Sequence, residues 1–137
     1  MTHGEPELPP FEIRADVRAG IVTMVLRGFW TLETMERYGA GMLEAVAKVA
    51  ARHPMFALLS DSTDFNIQSP EVGARFTAMM KAGAEMHVGP TAIVVGTTLN
   101  KLQAEHLFPD PRVRVFTDAD EARRWIDAYR AAARPGL

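Results

Sequence analysis

Residues Ile21–Leu26 read IVTMVL, apolar at odd and even positions alike. A strand with two apolar faces is stable only if both are covered, so this one belongs inside a sheet flanked by helices. The segment before it behaves differently. Phe11, Ile13, Ala15 and Val17 alternate with Glu12, Arg14 and Asp16, the period of a half-buried strand. Only Arg18-Ala19-Gly20 separates the two segments, too short a link for anything but an antiparallel hairpin.

After Gly28 the period changes. Met35, Met42, Leu43, Val46, Val49 and Ala50 recur at helical steps behind Thr31, which has the side chain of an N-cap, and Pro54 bounds the helix. Met55–Leu59 is expected to be a short strand, and Ser60–Phe65 a loop. Ser69-Pro70-Glu71 is a helix start, with cap, first-turn proline and acid in order. Val72, Phe76, Met79, Met80 and Gly83 mark the inner face of that helix. Thr91–Val95 and Arg112–Phe116 read as strands, and Leu99, Leu102, His106 and Leu107 mark a helix between them. Asp118-x-x-Glu121 resembles a capping box ahead of a closing helix striped by Ala122, Trp125, Ile126 and Tyr129. The order β-β-α-β-α-β-α-β-α specifies a single α/β domain over residues 11–133. Its mixed, mostly parallel sheet has five strands, an N-terminal antiparallel hairpin and four covering helices. Residues 1–10, acidic and proline-rich, and 134–137 are expected to be tails.

Composition removes several function classes. The chain has 137 residues, 47% hydrophobic and 23% charged, with a net charge of -2, and lacks the basic face of a nucleic-acid binder. There is no cysteine, so disulfides, thiolate nucleophiles and Cys-ligated metals are excluded. No apolar run approaches the roughly 20 residues that span a bilayer, and the first residues lack a signal-peptide pattern. A cytoplasmic protein is expected. The four histidines show no ligand spacing, so no metal and no cofactor is expected.

Three segments carry a resemblance to a known family. Ile21–Thr31 runs strand, glycine, helix start; Leu59–Gly73 runs strand, hydroxyl-rich segment, helix start; Val113–Ile126 reads VRVFTDADEARRWI. Together they resemble the STAS and SpoIIAA-like superfamily, the anti-sigma-factor antagonist fold, from Phe11 to about Ala132. The resemblance implies a bacterial regulatory or binding module that engages a protein partner, a small ligand or a lipid. Many members carry Asp-Ser-Ser-Gly at the second helix, with one serine phosphorylated. The matching positions here read Gln68-Ser69-Pro70-Glu71, so Ser69 falls on that serine while the aspartate, second serine and glycine are missing. Ser69, and secondarily Ser62, are the candidate phosphorylation sites.

Open α/β sheets bind ligands at the carboxyl ends of their strands. Those ends supply Phe29-Trp30-Thr31, Ser60–Phe65, Gly96-Thr97-Thr98 and Thr117-Asp118. Trp30, Asp61, Ser62, Asp64, Phe65, Thr97 and Thr98 are the candidates for contact with a protein partner or a small amphipathic or anionic ligand. The competing reading is structural: each hydroxyl caps its own helix, and Trp30 and Phe65 cover the rim of the core. The leading expectation is a non-enzymatic module with no catalytic residue. Its rivals are a small hydrolase or lyase using Asp61 or Asp64, and a self-associating homodimer.

Overall fold

The computed structural model describes residues 8–65, 67–87 and 89–133. The elements are β1 (Phe11–Asp16), β2 (Ile21–Gly28), α1 (Leu32–Ala50), β3 (Ala57–Phe65), α2 (Pro70–Met86), β4 (Thr91–Val94), α3 (Thr98–Leu107), β5 (Val113–Phe116) and α4 (Ala119–Ala133). They form one five-stranded sheet in the order β1-β2-β3-β4-β5. β1 is antiparallel to β2, and every other pair is parallel. The expected element order and mixed sheet are therefore present. Residues 1–7 and 134–137 of the expected tails lie outside the described residues. Pro9 and Pro10 are tied to the sheet: their carbonyls accept from Arg27 Nη1 at 3.0 Å and Arg27 N at 2.8 Å.

Register decides which side chains share a face. Val22 pairs with Leu58, Leu58 with Thr91, and Thr91 with Val113. The face they define receives α1, α2 and α3. Val22, Met24 and Leu26 pack with Met35, Tyr38 and Val49 of α1, and Ile93, Val95 and Val115 pack with Met80, Ala104 and Phe108. The alternate residues Ile21, Ala57, Ala92, Val94 and Phe116 pack against Ala122 and Ile126 of α4. This explains why β2 and β4 are apolar on both faces. All three crossovers step in one direction and place their helices on one side, so they share a single hand.

Two expected details change. β3 does not stop at Leu59; it continues through Phe65, so the hydroxyl- and carboxylate-rich segment read as a loop is strand. Its partner is the long β2, whose Val25, Arg27 and Gly28 pair with Asp61, Asp64 and Phe65. In α3, Leu99, Leu102, His106 and Leu107 all face solvent rather than the sheet. The small cluster beneath that helix is filled instead by Met80, Ala104, Phe108 and Val113.

A histidine with no assigned role turns out to be structural. His87, at the end of α2, is buried, its ring stacked on Phe56 at 4.2 Å and its Nε2 2.6 Å from the Phe56 carbonyl. Arg112, itself held by Asp110, donates to the His87 carbonyl at 2.6 Å. Burial lowers the His87 pKa below its ordinary value, and the nearby guanidinium adds to this, outweighing the hydrogen bond to Phe56. The unfolded chain then holds the extra proton between the lowered value and about 6.5, so stability climbs with pH across that window. Stability measured by urea unfolding is expected to be full above that window and to fall as pH drops through it. His87→Gln should flatten this dependence; equal pH slopes in both proteins would contradict it.

Candidate functional site

The three parallel crossovers bring the β2–α1, β3–α2 and β4–α3 junctions to one edge of the sheet, because parallel strands all point the same way. A single extra residue shapes that edge. Between the pairs Val25↔Asp61 and Arg27↔Asp64, β2 advances by two residues and β3 by three. The bulge shifts the alternation of β3 by one, so each later side chain changes face. Without it, Asp64 would continue the row of Leu58, Ser60 and Ser62 under the helices, and Phe65 would point away. With it, Phe65 turns into the core and Asp64 is exposed.

Phe65 meets Trp30 at 4.8 Å, and Trp30 in turn packs against Tyr38 at 5.0 Å and Phe11 at 5.7 Å. The indole is 2% exposed. Its Nε1–H donates to the Arg27 carbonyl at 2.9 Å and the Pro10 carbonyl at 3.3 Å, which satisfies its one polar group. Gly28, with φ of +76°, supplies the left-handed turn that folds the chain back over this cluster. Tyr38 is also buried here, and desolvation pushes its hydroxyl ionisation well above the usual tyrosine range.

The junctions are joined by a side chain that sequence reasoning passed over. Gln68 accepts from the Trp30 backbone N–H at 2.7 Å and donates to the Gly28 carbonyl at 2.8 Å. One amide thus satisfies both a donor and an acceptor of the β2–α1 turn. On the other side, a Cβ at Gly96 would lie 3.1 Å from the Thr63 carbonyl, so the β4–α3 turn lies close against β3. On either side of the Gln68 clamp, Phe29 and Ile67 point outward at 64% and 84% exposure. Their sequence signal was faint: Ile67 is a lone apolar residue in a polar stretch.

The expected site residues are divided by the sheet. Trp30 and Phe65 lie on the α1 side, as the rim of the core. They form the floor of this edge, not a contact surface. Ser62 is on that same side, half-buried, its Oγ 3.0 Å from that of Ser60. Asp61 falls on the α4 side, in register with Val94, and its Oδ1 accepts from Thr63 N at 3.1 Å in a turn of its own. Asp64 is exposed on the face opposite Phe65. Thr97 caps α3, accepting from Asn100 N at 3.0 Å, and Thr98 begins that helix exposed. Ser69 caps α2 through Val72 N at 3.3 Å. The hydroxyls of Thr31, Ser69 and Thr97 therefore do the capping that the structural reading assigned to them. Among the described residues no group of three His, Asp or Glu side chains is placed to hold a metal, and no helix is long and apolar enough to cross a membrane.

Solved structures share this fold. An uncharacterized protein of the DUF3478 family from Shewanella loihica, with a SpoIIAA-like fold, matches at a TM-score of 0.67 and 19% identity, over 90% of this chain and 99% of its own. An anti-sigma factor antagonist from Mycobacterium paratuberculosis matches at 0.57 and 15% identity, over 85% of this chain and 94% of its own. The fold is SpoIIAA-like. Neither a family model nor a curated protein matches the chain. In this SpoIIAA-like fold the strand order contains no reversal among its parallel strands. Among the described residues there is therefore no switch point of the kind at which doubly wound sheets seat their ligands. What the edge offers outward is a pair of apolar side chains on a pinned ridge.

Gln68→Ala removes both bonds of the clamp and should destabilise the fold by about 1–3 kcal/mol, the cost of stranding partly buried polar groups. Ile67→Ala, one residue away and exposed, should stay within about 0.5 kcal/mol. Urea unfolding of the two variants checks the contrast, and the Trp30 amide should exchange faster only in the first.

Proposed function

We propose that this chain is a non-enzymatic, STAS-like regulatory module that docks a protein partner on the edge formed by Phe29–Leu32, Asp61–Asp64, Ile67–Ser69 and Thr97. The observation that carries this reading is the outward pair Phe29 and Ile67, held by Gln68 rather than left on a loose loop. Exposed apolar groups on a rigid support mark interaction surfaces, and prior ordering lowers the entropic cost of association. A ridge of this form suits a partner's surface better than it envelops a small molecule. The similarity to an anti-sigma factor antagonist supports a regulatory role.

The hydrolase or lyase alternative rests on Asp61 and Asp64, and their surroundings give it little support. Both are exposed, and Asp61 is engaged by its own turn. Catalytic carboxylates are instead tuned by desolvation and close partners. A phosphate on Ser69 would sit at the α2 N-terminus, where the helix dipole favours it and Glu71 in the same turn would repel it.

A photo-crosslinking residue placed at Phe29 or at Ile67 in native cells should capture the same partner protein from both positions. The same residue at Leu43, exposed on the outer face of α1, should not capture it. Capture from all three positions alike, or from none, would sink the reading. Asp61→Ala and Asp64→Ala should change no turnover in a broad hydrolase and lyase substrate screen; a loss would favour the enzyme.

A further inference from the structure

Resting on the docking reading above, the charges around the ridge narrow the chemistry of the partner. Phe29, Leu32 and Ile67 are exposed, and Glu33, Asp61, Asp64 and Glu71 are exposed carboxylates on the same two junctions, β2–α1 and β3–α2. None of these four carboxylates is in an ion pair among the described residues, where the pairs are Arg27–Glu12, Lys48–Glu44, Arg75–Glu36 and Arg112–Asp110. The arginines near this edge are already engaged. Arg27 and Arg75 hold Glu12 and Glu36, and Arg37 lies over the Phe11 ring at 5.9 Å. Glu33 and Glu71 have a local reason for their positions, since an acid in the first turn complements the helix dipole. Asp61 accepts from the Thr63 N–H in its own turn, and Asp64, on the strand end, has no such local reason.

We infer that the partner of this edge presents a basic surface, lysines and arginines around an apolar centre that covers Phe29 and Ile67. A second copy joined through the same edge by a two-fold axis would set these carboxylates against their own duplicates, and like charges facing each other across an interface are costly. Anionic lipid headgroups would be repelled for the same reason. A cationic protein surface instead gains steered, salt-sensitive association and fixed orientation from the rim, with the apolar centre supplying the buried contact.

The test uses the full chain, isotopically labelled, and three amphipathic helical peptides as probes. The peptides share one leucine face and differ in the polar face, which is lysine/arginine, glutamine or glutamate. The basic peptide is expected to shift the amides of Phe29–Glu33, Asp61–Phe65, Ile67–Ser69 and Glu71, to bind several-fold more tightly than the other two, and to weaken as salt is added. The double variant Asp61→Asn/Asp64→Asn should weaken it about three- to tenfold, the size of two exposed ion pairs. Phe29→Ser/Ile67→Ser should abolish the response at the edge. If the glutamine or glutamate peptide binds the edge as tightly as the basic one, the inference of a cationic partner falls while the docking reading stands. If no peptide perturbs the edge, both fall. Perturbation by the basic peptide that spreads to Glu105 and Asp127, and that survives Phe29→Ser/Ile67→Ser, is indiscriminate charge attraction and also overturns the inference.

Discussion

The extra residue of β3 between Asp61 and Asp64 is the constraint on which the arrangement of this edge depends. Strand side chains alternate strictly, so one inserted residue is the smallest change that can exchange an aspartate for a phenylalanine on the buried side. It puts Phe65 against Trp30, which completes an aromatic cluster with Phe11, Tyr38 and Phe76. It also leaves Asp64 in water, where a carboxylate needs no buried partner. The strand can then run well past the end of β4 and still be apolar where it meets α1. Both the seating of Phe65 beneath this edge and the exposure of Asp64 follow from that one insertion.

Winding in a single direction has its own consequence. Because every parallel strand is added on the same side of its predecessor, α1, α2 and α3 share a face and only α4 covers the other. Doubly wound sheets that reverse direction open a cleft between helices on opposite faces. Here the junctions instead lie side by side along one edge of the sheet.

Much of the architecture was legible from the residues, because it rests on periodicity. IVTMVL demanded cover on both sides, and the structure supplies α1 on one and Ala57 with the α4 cluster on the other. Thr31, Ser69 and Thr97 announced their helices, since a cap is a local bond between neighbours in sequence. The bulge was not legible. Val25, Arg27, Asp61 and Asp64 are far apart along the chain, and only the pairing between them shows that one strand carries a residue too many. This is why Ser60–Phe65 read as a loop and why Trp30 and Asp64 were placed on one surface. Gln68 was invisible for a related reason: its partners Gly28 and Trp30 lie 40 and 38 positions away. The leucines of α3 misled in another way, because helical spacing reports a stripe but not which side of it the sheet will occupy.

The clamp also ties two events that would otherwise be separate. Gln68 grips the turn that seats the indole, and its immediate neighbour Ser69 supplies the oxygen that starts α2. The start of α2 and the seating of the largest ring in the interior are thus joined through two adjacent residues, with a glutamine as the connecting rod.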